Sequence, residues 1–163
     1  MDALTALRTR RSIRKYENRT VPREHLQTMV DCARLATTAR GVQPWEFVVI
    51  TNQHTREQLA AICEYGKFLS QAPAAIVVFC HDTKYYLEDG CNATECLLIA
   101  ATALGLGTCW IAGDKKPYAD TIRQLVGAPE DAKLIAIITV GYPAESPSPQ
   151  KRSLQDVLHW EKF

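Results

Sequence analysis

The chain has 163 residues, of which 47% are apolar and 23% are charged, as expected for one soluble globular domain with a real core. Its 19 Lys and Arg against 18 Asp and Glu give a net charge of +1 at pH 7. A dedicated nucleic-acid-binding protein is usually markedly basic, so this balance argues against that class. No signal peptide is evident, and glycines interrupt the uncharged run from Cys96 to Gly113. We therefore expect a cytosolic protein without a membrane span.

In chain order, segments with helical spacing alternate with strand-like segments. The predicted helices cover Asp2–Thr9, Pro22–Ala36, Thr55–Tyr65, Tyr85–Leu104 and Pro117–Val126. The predicted strands cover Trp45–Thr51, Ala74–Cys80, Thr108–Ile111 and Lys133–Gly141. In the first helix we expect Asp2 to cap the N-terminus and Leu4 and Leu7 to point inward. This alternation predicts an α/β or α+β layer fold with a mostly buried central sheet.

The C-terminal segment has a different character. Three prolines, at 143, 147 and 149, exclude regular structure, and the chain then ends with an amphipathic stretch, Leu154–Trp160. The apolar side chains of that stretch need a surface to cover them, which another subunit can supply.

The densest charge in the chain lies in Arg8–Lys15, where five cationic side chains fall within eight residues. Because the total charge is near zero, this cluster indicates a local anion site, although each cluster alone could be a solvated surface. A second cationic pair, Lys151-Arg152, could close on the same anion.

No set of side chains in the sequence has the spacing of a catalytic or metal site. The four histidines are scattered, Ser12 has no neighbouring base, and the six cysteines lack zinc spacing and are best explained as small buried side chains. The glycine-rich stretch Gly105–Gly113 follows a helix and lacks dinucleotide-binding spacing, though its backbone could offer free amides. If the protein is an enzyme, a phosphorylated organic cofactor explains both the cations and the missing side-chain catalysts.

Four segments, in this order, resemble motifs of the FMN-dependent nitroreductase family. They are Arg10-Arg-Ser-Ile-Arg14, Gln43-Pro-Trp45, Gly105–Gly113, and Gly141-Tyr-Pro-Ala-Glu145 with Leu154–Trp160 beyond it. The resemblance implies one domain over residues 1–163 with an α+β three-layer fold, in which helices flank a central mixed sheet. It also implies a cytoplasmic homodimer with two FMN molecules at the interface, and residues 143–163 as an arm that packs on the partner subunit.

By the same resemblance, the protein is an NAD(P)H-dependent FMN oxidoreductase. Hydride would pass from NAD(P)H to the flavin N5, and a small electron-poor acceptor such as a nitroaromatic or quinone would then take electrons from the same face. A shared face predicts ping-pong kinetics. The chain is short for the family, so we expect an open pocket without a long lid.

The resemblance also implies which residues bind the cofactor. Arg10, Arg11 and Ser12 would hold the phosphate, aided by Lys151 and Arg152. Arg14 would lie near the flavin N1 and C2 carbonyl, where a fixed cation makes the cofactor easier to reduce.

Two further segments are expected to border the flavin ring. One is a loop of the second subunit, which would supply Thr37, Thr38 and Gln43. The other is Trp110, Ile111, Ala112 and Gly113, with the last two amides near N5 and the C4 carbonyl. Thr37-Thr38 replaces the common Pro-Ser of the family, and Gly41 replaces its usual Asn. We expect FMN binding to survive these changes, while the redox partner can differ.

Two alternatives remain open. A flavin-binding protein that stores or senses FMN without turnover would carry the same residues. A nucleic-acid contact through the arginines is disfavoured by the near-neutral charge and by the lack of an aromatic-rich binding surface.

Overall fold

The computed structural model describes residues 1–163 and contains five α-helices and four β-strands. The helices are α1 (Ala3–Thr9), α2 (Arg23–Ala33), α3 (Gln53–Ile62), α4 (Tyr86–Ala103) and α5 (Ala119–Leu125). The strands are β1 (Trp45–Ile50), β2 (Ala74–Cys80), β3 (Gly107–Ala112) and β4 (Lys133–Gly141). Short 3₁₀ turns at Ala39–Gly41 and Lys67–Ser70 precede β1 and β2.

The four strands form one sheet in the order β1-β2-β4-β3, with every neighbouring pair antiparallel. The two central strands, β2 and β4, are almost wholly buried, which explains their near-continuous apolar sequence. A parallel pairing also occurs, as an isolated bridge between Ser12 and Thr108 at the outer edge of β3. The two edge strands therefore differ, because the basic segment Arg10–Arg14 runs alongside part of β3, whereas no segment pairs with the outer edge of β1.

Helices cover both faces of the sheet, because successive side chains of a strand point to opposite sides. On one face, Leu26 and Met29 of α2 and Leu97 of α4 pack with Ile76 and Ile138. Each such buried side chain stabilises the fold by about 1.5–3 kcal/mol.

On the other face, Leu59 of α3, Leu69 of the second 3₁₀ turn and Ile122 of α5 pack with Val77 and Ile137. The predicted α+β three-layer fold is confirmed, but the four strands of the sheet are all antiparallel and not mixed.

All nine predicted helices and strands are present, and their ends differ by a few residues; α2, for example, ends at Ala33 instead of Ala36. The predicted orientation of α1 is wrong. Leu4 and Leu7 are 61% and 51% exposed, whereas Ala6 is fully buried. The helix packs against α4 through this small residue, and its larger apolar side chains face solvent.

Residues 151–163 are all exposed. Instead of a regular helix, the stretch beginning at Leu154 forms one turn, in which its carbonyl accepts from the amides of Val157 (3.2 Å) and Leu158 (3.0 Å). Trp160 is 79% exposed, so the apolar side of this segment has no cover within the chain. None of the helices combines the length and the hydropathy that a transmembrane span requires.

Candidate functional site

The basic segment Arg10–Arg14 is held as an extended chain along the outer edge of β3. It follows α1, whose first turn is capped by Asp2 through a hydrogen bond from the Thr5 amide (3.1 Å). The Ile13 amide then donates to the Thr108 carbonyl (2.8 Å), and the Ile13 side chain is buried. The main chain of the segment is thus fixed while its alternate side chains point outward.

Gly107 permits this close approach. A Cβ atom at Gly107 would lie 2.7 Å from Cγ1 and 2.8 Å from Cβ of Ile13, which is too close for any side chain. The first part of the glycine-rich stretch is therefore needed for packing, because the backbone of β3 touches the segment that carries the arginines.

The chain after β4 holds the other side of the basic segment. The Ala144 amide donates to the Lys15 carbonyl (3.0 Å), and Glu145 Oε1 accepts from the amides of Arg14 (2.6 Å) and Lys15 (3.1 Å). The Glu145 carboxylate accepts only from main-chain amides here, so it does not neutralise the arginine side chains.

These side chains surround a cavity of about 520 Å³, which we call the cationic cavity. Its lining residues are Arg10, Arg11, Ser12, Arg14, Pro147, Ser148, Pro149 and Lys151. No carboxylate lines the cavity, although Arg10 also reaches Glu95 outside it. A phosphate group, which carries about −1.5 to −2 at pH 7, matches this lining in charge and in hydrogen-bond chemistry.

Of the five residues predicted to bind phosphate, Arg152 alone does not line the cationic cavity. Its guanidinium Nη2 donates to the carbonyl of Asp156 within the exposed C-terminal turn. Arg8 and Lys15 are exposed and lie outside the cavity, so they are solvent-facing charges.

Two arginines of the cavity also contact the protein itself. Arg10 Nε lies 3.5 Å from Glu95 Oε1 in a partly exposed ion pair. Arg11 Nη1 donates to the carbonyls of Arg8 (2.9 Å) and Arg10 (2.7 Å), which braces the turn out of α1. An exposed ion pair of this kind contributes little stability, so Arg10 can exchange it for a bound anion at low cost.

A second cavity, of about 940 Å³, adjoins the first at Arg14, which lines both; we call it the aromatic cavity. Trp110, Ile111 and Ala112 of β3 contribute to its lining. The guanidinium of Arg14 lies 5.9 Å from the centre of the Phe68 ring. The cationic cavity and the aromatic cavity thus share Arg14, an arrangement that could accommodate a phosphorylated aromatic molecule.

The free edge of β3 exposes backbone groups to these cavities. In an antiparallel pair, alternate residues direct both their amide and their carbonyl toward the partner strand. The Gly113 amide donates to the Ile135 carbonyl (3.0 Å), so Gly113 and Ile111 face β4, while Ala112 and Trp110 face outward. The Gly113 amide is therefore engaged within the sheet, contrary to the expectation that it is free for a ligand; the Ala112 amide is directed outward.

Sequence reasoning missed three aromatic residues, Tyr65, Phe68 and Tyr118, that line the aromatic cavity. The first two lie in the connection between α3 and β2, and the third precedes α5. The sequence carries no signal for this position, because Tyr65 and Tyr118 fall inside predicted helices, and Phe68 and Tyr118 also pack against the hydrophobic core.

The predicted loop residues Thr37, Thr38 and Gln43 line neither cavity. They lie beside α4, where the buried carboxylate of Asp89 accepts from Thr38 Oγ1 (3.0 Å) and the Ala39 amide (2.9 Å). Thr38 Oγ1 in turn accepts from the Gln43 amide (3.0 Å). The structure thus holds the loop firmly but does not bring it to the arginines of the same chain.

The backbone of this loop is strained. Arg40 and Gln43 have positive φ angles of 56° and 52°, and Gly41 has a φ of 69°. Positive φ is tolerated best by Gly and then by Asn, so the Gly41 that stands in place of the family's Asn keeps the turn.

All six cysteines are free thiols. Burial raises the pKa of Cys63 to about 11 and that of Cys80 to about 12, so both are neutral core residues. Cys109, beside the aromatic cavity, also has its pKa raised by burial. Five of the six are at least partly buried, whereas Cys32 is exposed.

A family model described as the Nitroreductase family matches residues 7–87 and 63–142. The chain is 35% identical to a protein of Methanothermobacter thermautotrophicus provisionally named an NADH dehydrogenase/NAD(P)H nitroreductase, with 100% of this chain and 88% of the relative covered.

Solved structures agree. An FMN-dependent nitroreductase from Clostridium difficile superposes with a TM-score of 0.90 at 30% identity, covering 98% of this chain and 99% of that one. A provisionally named nitroreductase in complex with FMN, from Desulfovibrio desulfuricans, gives a TM-score of 0.88 at 29% identity, covering 100% and 98%.

Proposed function

Since this chain belongs to the nitroreductase family, we propose that it is an NAD(P)H-dependent FMN oxidoreductase that reduces a small electron-poor acceptor. The observation that supports this most strongly is the junction of the cationic cavity with the aromatic cavity at Arg14. Bound FMN supplies the redox chemistry, accepting hydride from NAD(P)H at N5 and reducing an acceptor such as a nitroaromatic or a quinone.

The protein's first task is to bind the FMN phosphate. Arg10, Arg11, Ser12 and Lys151 line the cationic cavity and would do so with charge-assisted hydrogen bonds. The backbone that carries the arginines is fixed, because Ser12 and Ile13 pair with Thr108. This lowers the entropic cost of ordering their side chains around a phosphate. Arg152 would join them only if the C-terminal segment rearranged, since it is directed to Asp156 in this conformation.

The second task is to orient the ring and stabilise added electrons. Arg14 stands at the end of the cationic cavity and faces into the aromatic one, so its charge favours the electron-rich reduced ring. Trp110, Ile111 and Ala112 would border the ring from the β3 edge, with Ala112 offering its amide. We assign no contact to the Gly113 amide, because it bonds Ile135.

We further propose that the functional unit is a homodimer. Apolar side chains at both ends of the chain are without cover, including Leu4 and Leu7 on α1 and Leu154 and Trp160 near the C-terminus. In a dimer, residues 143–163 would form an arm on the partner, and Thr37, Thr38 and Gln43 would border the partner's flavin. Truncation after Pro149 should then weaken association and release flavin; a flavin-loaded monomer after that deletion would contradict this arrangement.

The absorption spectrum of the purified protein tests cofactor binding, and anaerobic addition of NADH tests turnover. Loss of the flavin absorbance, followed by its return on addition of a quinone or nitroaromatic, supports the oxidoreductase. A yellow protein that NADH does not bleach would instead support FMN storage or sensing. Ping-pong kinetics with several acceptors would support the shared face, and no FMN-dependent turnover of any acceptor would overturn the proposed activity.

A further inference from the structure

The Ala112 carbonyl and amide both face the free edge of β3, because a residue in an extended strand directs its two backbone groups to the same side. Ala112 itself is exposed and lines the aromatic cavity. Without another contact, this edge would offer a bound molecule one donor and one acceptor side by side.

Tyr118 removes the acceptor. Its hydroxyl donates to the Ala112 carbonyl at 2.6 Å, and its side chain lines the same cavity. Burial raises the pKa of Tyr118, so the hydroxyl keeps its proton and remains a donor across the physiological range. With its carbonyl satisfied, Ala112 presents only its N–H to the cavity.

The peptide that joins Ala112 to Gly113 is also held from its other side. The Gly113 amide donates to the Ile135 carbonyl at 3.0 Å. A Cβ atom on Gly113 would lie 2.5 Å from Leu134 Cγ and 3.0 Å from the Ile135 backbone, so Gly113 is pressed against β4. The carbonyl and the N–H of this peptide are therefore fixed by Tyr118 and Ile135 respectively, which leaves the end of β3 little freedom to turn.

We propose that Tyr118 is a positioning residue that makes the end of β3 a hydrogen-bond donor toward the ring edge of the bound flavin. This proposal rests on the proposed function. Oxidised flavin presents acceptors, N5 and the C4 carbonyl, along one edge, and a free backbone carbonyl there would repel them. Tyr118 acts through Ala112 and does not itself react.

Tyr118→Phe tests this proposal, since it removes only the hydroxyl and keeps the ring. Tyr65→Phe is a matched control, because Tyr65 lines the same cavity, is 82% exposed and makes no hydrogen bond through its hydroxyl. Two properties of the flavin-loaded proteins are measured, the dissociation constant of FMN and the infrared stretching frequency of the FMN C4 carbonyl. In the FMN-free proteins, hydrogen exchange of the Gly113 amide is measured as well.

For Tyr118→Phe we expect FMN affinity to fall about two- to twelve-fold, which corresponds to one net hydrogen bond. The C4 carbonyl stretch should move to higher frequency, as for a carbonyl with a weakened hydrogen bond, and Gly113 should exchange faster. Tyr65→Phe should match the unsubstituted protein in all three measurements.

Unchanged FMN affinity and carbonyl frequency in Tyr118→Phe would overturn the proposal, as would an equal change in Tyr65→Phe. If the unsubstituted protein binds no FMN, the proposed function fails. Exchange at Gly113 in the FMN-free proteins still decides whether Tyr118 holds the end of β3, and unchanged exchange there would overturn that role.

Discussion

The segment Arg10–Arg14 and the loop Thr37–Gln43 are both polar, yet the fold uses their atoms in opposite ways. In the first, the backbone bonds Thr108 and Glu145, and the cationic side chains line a cavity, held within the chain only by a partly exposed ion pair and by hydrogen bonds to nearby carbonyls. In the second, the Thr38 hydroxyl donates to Asp89 and accepts from the Gln43 amide, and the loop lines neither cavity of its own chain.

This difference indicates how each region could contribute to one site. The first lines a cationic cavity with side chains of a single chain. The second is a rigid, strained loop whose strain is offset by a buried carboxylate, and such strain is typical of functional segments. A loop of this kind, without a cavity of its own, is suited to contact a ligand held by another subunit, as proposed above.

The largest effect is expected for Arg10→Ala. Deleting a charged contact to phosphate should weaken FMN binding about 10- to 150-fold, which corresponds to about 1.5–3 kcal/mol. The dimer should remain largely intact, because the partly exposed pair with Glu95 contributes little stability. Flavin titration and size-exclusion chromatography would measure both. Arg8→Ala, in the same stretch but outside the cavity, is the control, and full flavin occupancy in Arg10→Ala would show that the phosphate is misplaced.

Gly107→Ala disturbs the packing of the first region against β3 without changing any charged residue. The new methyl group would overlap Ile13, so we expect a loss of about 1–3 kcal/mol in the free energy of unfolding, together with weaker FMN binding. Gly105→Ala is the control. Gly105 has a φ of 75°, which strains any other residue, but no atom lies within 4 Å of the position of the new methyl group, so no neighbour is displaced. That variant should lose stability from backbone strain and keep its FMN affinity. Equal FMN affinity in the two variants would contradict the role given to the Gly107–Ile13 contact.

Asp89→Asn should loosen the second region. Asp89 is 3% exposed, and each of its two carboxylate oxygens accepts one hydrogen bond. Asparagine replaces one of these oxygens with an NH₂ group, which cannot accept, so the expected cost is about 1–3 kcal/mol of stability. Hydrogen exchange of residues 37–43 should rise. Glu88→Gln, an exposed neighbour on the same helix, should change neither property. Unaltered exchange in Asp89→Asn would show that the loop is rigid without the carboxylate.

The smallest effect concerns a link between the two regions. Tyr86, near Asp89 on α4, donates to Asp114 Oδ1 (2.8 Å), and Asp114 follows β3. This hydrogen bond, with burial, raises the pKa of Tyr86 from 10.0 to about 12. The hydrogen bond therefore contributes its full stability below pH 10 and loses it as the pH rises through about 12.

Tyr86→Phe should accordingly be less stable than the unsubstituted protein by about 0.5–1.5 kcal/mol below pH 10. The gap should close between pH 10 and pH 12, as measured by urea unfolding. A gap that is constant with pH would mean that the lost hydroxyl acts through packing alone.

Much of the fold was predictable because it depends on local patterns. The nearly uninterrupted apolar runs of β2 and β4 predicted strands, and the ends of both agree with the structure. The orientation of α1 was not predictable in the same way. Two leucines on a short helix suggest that they form its inward face. In the structure the buried residue of α1 is Ala6, and which face turns inward depends on how closely α1 approaches α4.

The candidate site shows the same division. The cluster Arg10, Arg11, Ser12 and Arg14 was visible as excess charge, and the structure gathers it with Lys151 from the far end of the chain. The engagement of the Gly113 amide was not visible, because it depends on the hydrogen-bond register between β3 and β4. Tyr118 was missed for a related reason, since a single tyrosine at the start of a predicted helix carries no pattern that points to the end of β3.

The sequence by itself determined the helices and strands, the family and the local excess of positive charge in Arg8–Lys15, because these follow from composition, periodicity and motifs that neighbouring residues carry together. Only the tertiary structure decided which backbone amides at the edge of β3 are free, which aromatic rings surround the adjoining cavity, and which polar side chains are consumed by internal bonds. Those outcomes depend on the register and packing of segments far apart in the chain, and hydrogen-bonding groups are assigned only when the segments meet.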